Sequence, residues 1–360
     1  MPRNRLPAVW TVLSLVILFC DAAAQAPAPS RGAMGPLPRV HFLATGGTIS
    51  NRAGGRLTAE DLVKLIPPLE TYAQPEFEQF SNVASSALTL DQYLKLARRI
   101  NELFEQDKTL AGVVITSGTD TMEELAYFLH LTVRDFRPVV VVGAMRNAST
   151  IGYEGPANLL EGFRVAASRA AAGNGVMVVL NDEINSAREV TKTDALRLHT
   201  FQSRIYGVLG VVDADRVSFY RAPVKRHTAK SEFDVKKIET LPRVDVIMVY
   251  QDASGDLITA AAANGARGIV VAGAGAGATT SSQREAINAV AQKGVVVVMG
   301  TRTGSGRIAP GTDQAPSGGE RRRNTVAAED LAPVKARILL MLALAKTHDL
   351  AEIQRMFSEY

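Results

Sequence analysis

The chain has one cysteine, Cys20, in 360 residues. It lies in an N-terminal stretch that reads as a secretory leader: Arg3 and Arg5, an apolar run from Ala8 to Phe19, then Ala22-Ala23-Ala24. Bulky Phe19 before Cys20 argues against lipoprotein acylation. Removal of a signal peptide spanning residues 1–24, with the mature chain starting near Gln25, leaves no thiol. That excludes disulfides, a cysteine nucleophile and a thiolate metal site. The apolar run is too short to span a bilayer comfortably, and no later stretch approaches the ~20 apolar residues a span requires. The expectation is a periplasmic or secreted protein with no membrane partner after processing. Five histidines, His41, His130, His199, His227 and His348, are scattered without ligand spacing, so no metal is implied. The formal charge of +4 does not argue for a nucleic-acid partner. Arg3 and Arg5 sit in the leader, and Arg321-Arg322-Arg323 sits in a Gly- and Pro-rich loop, which reads as solvated surface.

The full chain is 46% hydrophobic and 21% charged, a globular composition for about two domains. From Val40 onward, short β-branched runs alternate with helical patterns, the signature of βαβ units around a parallel sheet. Strands are expected at Val40–Thr45, Gly112–Thr116, Val139–Met145 and Gly175–Asn181. Apolar residues recur at helical spacing between Tyr93 and Phe104, between Leu125 and Leu129, and between Leu159 and Ala166. The polar, basic, proline-flanked stretch 221–243 reads as an interdomain linker. A second αβ set follows, with strands at Val244–Tyr250, Gly268–Ala272 and Gly294–Met299. An Ala- and Leu-rich helix is expected from Pro333 to Lys346, then a last short helix capped by Asp349 and ending near Phe357. The expected architecture is α/β. A larger N-terminal parallel-sheet domain (38–220) carries helices on both faces and is linked to a smaller C-terminal α/β domain (244–360).

Two motifs carry the chemistry. Ala44-Thr45-Gly46-Gly47-Thr48-Ile49 and Thr116-Ser117-Gly118-Thr119-Asp120-Thr121 each place hydroxyls and glycines where a buried strand becomes a loop. In an open α/β sheet the carboxyl ends of strands border the ligand crevice, so two such turns can converge on one small substrate. Hydroxyl oxygens are candidate nucleophiles, and glycine-turn N–H groups are candidate oxyanion donors. Gly273-Ala274-Gly275-Ala276-Gly277 lacks the full dinucleotide-binding spacing and reads as a tight strand-to-helix turn.

With these motifs the chain resembles the bacterial-type L-asparaginase family in its secreted form. The ordered set extends through Met122-Glu123-Glu124, Val142-Gly143-Ala144-Met145-Arg146, Gly155-Pro156, Asn181-Asp182, Val190-Thr191-Lys192-Thr193, Phe233-Asp234-Val235 and Lys335-Ala336-Arg337. The resemblance implies hydrolysis of asparagine to aspartate and ammonia, no cofactor, and a homotetramer made of two intimate dimers. It places the first catalytic threonine at Thr45 and a hydrogen-bonded triad at Thr119, Asp120 and Lys192. Asp120 would also hold the substrate α-ammonium, Ser85 its α-carboxylate, and the Ala144 carbonyl its side-chain amide. Ser85 equally suits a helix cap. A lysine acts as a base only when burial or a neighbouring charge lowers its pKa, so Lys192 should be enclosed near Thr119.

The chain also departs from the family. The lid after the first motif, Ser50–Thr58, contains no tyrosine, although Gly54-Gly55 can hinge it. Ser86 and Ser117 replace common glutamine and histidine residues. For the acid that the family borrows from a neighbouring subunit, Glu320 is the only carboxylate of the right length nearby. Asp252 matches a position facing the partner's site, or is an ordinary turn residue. The alternatives are a mixed glutaminase-asparaginase, which differs by one methylene in the substrate, and a secreted amino-acid binding protein with little catalysis.

Overall fold

The computed structural model describes residues 36–310 and 324–360. The leader, Cys20, Glu320 and the triple arginine therefore lie outside the described residues. Eight strands form the larger sheet, in the spatial order Val217–Phe219, Gly210–Val212, Glu183–Ser186, Val176–Leu180, Val139–Val142, Leu110–Thr116, Arg39–Gly46, Gln74–Val83. The last five of these run parallel. The strands Val176–Leu180 and Glu183–Ser186 form an antiparallel hairpin, whose two connecting residues, Asn181 and Asp182, have φ of 56° and 64°. Short polar residues are the type that tolerates this conformation.

The alternation of side chains decides which helix covers which face. Leu43, Val113, Ile115, Val139, Val141, Val176 and Val178 pack on one face with the helices Leu90–Gln106 and Met122–Thr132. Phe42, Ala44, Val114, Val140, Val142 and Val179 pack on the other with the helix Gly155–Ala167. Gly162 brings that helix close, since a Cβ there would lie 2.6 Å from Val142 Cγ1. Because both faces are covered, the central strands read as continuous apolar runs.

A second, four-stranded parallel sheet follows: Val244–Met248, Gly268–Gly273, Val296–Thr301 and Thr325–Ala327. The helix Pro333–Leu344 covers one face and packs against Met122–Thr132 of the larger half, so both halves share one core. Being enclosed on all sides, it is apolar nearly all round. Asp349 caps the final helix by accepting from the N–H groups of Ala351 and Glu352. The stretch 221–243 contributes no strand but is pinned to the core by buried Phe233 and Val235.

The strand expected over Val139–Met145 ends at Val142. The edge strand Gln74–Val83, the hairpin partner Glu183–Ser186 and the two short strands beyond it were not anticipated from sequence. No helix among the described residues is long and apolar enough to cross a membrane.

Candidate active site

The chain leaves the strand Arg39–Gly46 toward one edge, to Gln74–Val83, and resumes on its other side at Leu110–Thr116. The order of strands thus reverses between Arg39–Gly46 and Leu110–Thr116, the position at which open α/β sheets bind ligands. Thr45 stands near the end of the first of these strands, and Thr119 and Asp120 follow the end of the second. Ser85 follows Gln74–Val83, and Ala144 follows Val139–Val142. Four adjacent parallel strand ends therefore bring together residues as far apart in sequence as Thr45 and Ala144.

The two threonine turns touch backbone to backbone. A Cβ on Gly47 would fall 2.2 Å from the Gly118 nitrogen, and one on Gly118 would fall 2.8 Å from Ser85 Oγ. Thr45 is 1% exposed. Its hydroxyl donates to the Thr116 carbonyl at 2.6 Å, and its N–H donates to Thr116 Oγ1 at 3.2 Å. The Thr45 hydroxyl thus bridges to the neighbouring strand and does not cap its own turn. Ser85 is buried, and the helix that follows is capped by Thr89, whose hydroxyl accepts from Gln92 N–H. The capping alternative for Ser85 is thereby removed.

Lys192 arrives on a two-residue strand, Thr191–Lys192, paired with Phe201–Gln202. Its Nζ donates to Thr119 Oγ1 at 3.0 Å and to Asp120 Oδ1 at 2.8 Å. Thr119 is buried. The Lys192 side chain is 15% exposed and that of Asp120 is 76% exposed. One side of this group therefore faces inward, while its carboxylate faces an open depression lined by Lys192, Thr193, Asp194 and Ala195. An ammonium that donates to a hydroxyl oxygen can stabilise developing negative charge there, and an exposed carboxylate can receive a second cation.

Ala144 is fully buried, and the loop around it is fixed from outside. Asn158 Nδ2 donates to the Gly143 carbonyl at 2.9 Å, and the N–H groups of Met145 and Arg146 both donate to the Glu154 carboxylate. The lid is a small ribbon, Asn51–Arg52 against Gly55–Arg56, clasped by the loop 147–153. The Tyr153 hydroxyl donates to the Ile49 carbonyl at 2.6 Å, Ala148 N–H to the Asn51 carbonyl at 2.8 Å, and Ala53 N–H to Ser149 Oγ at 2.7 Å. Tyr153 and Glu154 were not singled out by sequence. The aromatic that bonds the backbone just before the lid comes from a loop about a hundred positions later, so inspection of the lid itself could not find it.

Other residues singled out from sequence lie elsewhere. Asp252 is an exposed turn residue with φ of 58° just beyond the edge strand of the smaller sheet. The run Gly273–Gly277 folds back on itself, with Ala274 and Ala278 exchanging backbone hydrogen bonds. His130 and His227 meet with ring centroids 4.8 Å apart. Among the described residues, no group of three or more His, Cys, Asp or Glu side chains could hold a metal ion.

Known proteins match this arrangement over most of its length. The family description "Asparaginase, N-terminal" matches residues 39–225, and "Glutaminase/Asparaginase C-terminal domain" matches residues 243–357. The chain is 41% identical over 334 residues to L-asparaginase 2 of Bacillus subtilis strain 168, covering 90% of this chain and 87% of that protein. It is 37% identical over 358 residues to the glutaminase-asparaginase of Pseudomonas fluorescens biotype A, covering 97% of each. A crystal structure described as a probable cytoplasmic L-asparaginase from Campylobacter jejuni superposes with a TM-score of 0.83 at 41% identity, covering 90% of this chain and all of that one. Fold and relatives together define the class: an α/β amidohydrolase with a larger and a smaller parallel-rich sheet. Within that class, the chain belongs to the asparaginase family.

Proposed function

We propose that this protein is an L-asparaginase that hydrolyses asparagine to aspartate and ammonia, with Thr45 as nucleophile. The observation that carries the reading is the contact between the Thr45 turn and the Thr119-Asp120 turn, with Lys192 bonded to both residues of the second. Asp120 and Ser85 hold the ammonium and carboxylate of the amino acid. The Ala144 loop receives the side-chain amide, and Thr45 Oγ1 attacks its carbon. The Gly47 N–H is already committed to the Val83 carbonyl at 2.8 Å. The oxyanion role therefore passes to Thr48 and Ile49, the first N–H groups of the short turn Thr48–Ser50, which lack intrahelical acceptors. Ammonia leaves, and water, positioned by Thr119 and Lys192, releases aspartate.

A second reading takes Thr119 as the residue that attacks first. It draws support from the Lys192 bond to Thr119, because among the described residues no amine is bonded to the Thr45 hydroxyl. Ammonia release from asparagine and glutamine, measured for the parent, Thr45→Ala and Thr119→Ala, tests the activity and ranks the two amides. Mass spectrometry of the adduct with a diazoketone analogue of the substrate then assigns the nucleophile. Label on Thr119 with Thr45 unmodified overturns the assignment made here. The same reading includes the amino-acid amide as small-molecule substrate, no cofactor, two functional domains (38–220 and 244–360), export with removal of residues 1–24, and a homotetramer. Exposed Val246, Met248 and Tyr250 along the edge of the smaller sheet supply an apolar face for such an assembly, and light scattering of the purified protein measures it.

A further inference from the structure

Lys335 is the third residue of the helix Pro333–Leu344, whose other buried side chains are apolar. It is 1% exposed. The first turn of a helix is where a cation is least favoured, and burial pushes this ammonium down to about 8, with Arg188 adding to the depression while Glu123 and Glu189 oppose it. Three backbone carbonyls compensate: Nζ donates to Ala187 and Arg188, each at 3.0 Å, and to Val190. These carbonyls form the bend immediately before Thr191–Lys192. The same ammonium stands 3.9 Å from Glu123 Oε2, an oxygen with no hydrogen-bond partner of its own among the described residues. Glu123 completes the connection. It is the second residue of the helix Met122–Thr132 that follows the Thr119-Asp120 turn, and its Oε1 accepts from Thr191 Oγ1 at 3.0 Å and from Lys192 N–H at 3.3 Å.

We propose that Glu123 and Lys335 are positioning residues for Lys192: together they fix the bend 187–192 against the Thr119-Asp120 turn, so that the Lys192 ammonium is held between Thr119 Oγ1 and Asp120. The smaller half of the molecule thereby acts on chemistry in the larger half through one buried charge. This rests on Lys192 belonging to the catalytic group. Neither Glu123 nor Lys335 touches substrate. Their loss leaves the amino-acid contacts of Ser85 and Asp120 in place and moves the amine.

The test is steady-state ammonia release from asparagine, with melting curves, for Glu123→Ala, Glu123→Gln, Lys335→Met and Thr191→Val, each in the parent and in a Lys192→Met background. Displacing a catalytic group by about 1 Å costs up to ~100-fold. Glu123→Ala and Lys335→Met should therefore lower kcat by roughly 10- to 100-fold, with KM held within about threefold. Glu123→Gln, which keeps an acceptor oxygen, should recover part of the loss, and Thr191→Val should lose several-fold. In the Lys192→Met background all four should change kcat by less than about twofold, because groups acting through one residue are not additive. A merely structural role gives the same loss in both backgrounds, and that result, or parental kcat in Glu123→Ala and Thr191→Val, overturns the proposal. If Glu123→Ala and Lys335→Met do not fold, Glu123→Gln and Thr191→Val complete the cycle. Full activity in Lys192→Met alone instead removes the catalytic reading beneath it.

Discussion

Replacing Gly47 with alanine should separate the two threonine turns. Gly47 has φ of 86°, and an added Cβ would lie 2.2 Å from Gly118 N, 2.3 Å from Gly118 Cα and 2.7 Å from the Ser117 carbonyl carbon. Ordinary contact begins near 3.4 Å, so the turns must part by about 1 Å, and no side chain is present to rotate away. Two costs follow. The positive-φ extended backbone, with ψ of −173°, costs an L-residue about 1–3 kcal/mol, and the forced repacking costs ~1–3 kcal/mol more. Only the second cost reaches the site, where Thr45 and Thr119 each lie two residues or fewer from the clash; a 1 Å displacement there is worth on the order of 100-fold in kcat. Gly294 supplies the control, with φ of 85° and no heavy atom within 4 Å of its would-be Cβ. Urea midpoints and ammonia release should show Gly294→Ala destabilised by about 1–2 kcal/mol at parental kcat, and Gly47→Ala destabilised further with kcat about 100-fold lower. A Gly47→Ala enzyme within about threefold of parental kcat refutes the argument that contact between the turns sets the catalytic geometry.

Asp330 accepts from both terminal nitrogens of Arg188, at 2.7 and 2.8 Å. Burial alone would raise its carboxyl, but the bonds and charge of Arg188 hold it well below the ordinary value of 3.8. The sign follows from the depressed folded value: this stability is fully present above pH 3.8 and is lost as pH falls through the folded pKa. Asp330→Asn should cost about 3–5 kcal/mol at neutral pH by stranding the buried guanidinium, and should flatten the loss of stability below pH 4 measured by urea titration. His130 is fully buried, and burial first, then the neighbouring His227, pushes its pKa well below 6.5. The unfolded chain therefore binds a proton below pH 6.5 that the native state refuses, so stability is intact above 6.5 and falls as pH drops beneath it. His130→Gln, which keeps an acceptor for the Val176 N–H, should remove about 1–2 kcal/mol of the loss between pH 6.5 and pH 5, read from melting temperatures across that window.

Legibility of the fold followed burial. Val139–Val142 and Val176–Leu180 are enclosed on both faces, so each reads as an uninterrupted apolar run. Gln74–Val83 is ten residues long, yet its Pro75, Glu76, Glu78 and Gln79 disguise it, because it is the sheet edge and pairs on one side only. An edge strand tolerates proline and charge that a central strand excludes. The stretch 221–243 looked like a solvated connector because its polar residues dominate the count. Two of its apolar ones, Phe233 and Val235, are what pin it to the core. The Val139–Met145 run overshot because Glu154 takes the N–H groups of Met145 and Arg146 and so holds that loop out of the ladder.

The candidate site divides along a similar physical line. Thr45, Thr119 and Asp120 stand in local strand-to-turn patterns, which a sequence displays directly. Lys192 lies 72 positions from the Asp120 it bonds, and only the family resemblance placed it there. Glu123, Lys335 and Tyr153 act through backbone groups: Glu123 on the Lys192 N–H, Lys335 on three carbonyls, Tyr153 on the Ile49 carbonyl. Every residue has those backbone groups, so such contacts leave no partner pattern to read. The lid shows the consequence. Its Gly54-Gly55 pair reads as a hinge; Gly54 has a φ of 78° at a two-stranded turn, and the ribbon is tied to the loop 147–153 at Asn51 and Ala53, with Tyr153 holding Ile49 just before it. A lid so held presents Thr45 with its hydroxyl already bonded to the Thr116 carbonyl. On the proposed assignment of Thr45 as nucleophile, attack requires that bond to be exchanged for one to a proton acceptor when the amide enters, which places the activating step in the substrate complex and not in the resting site.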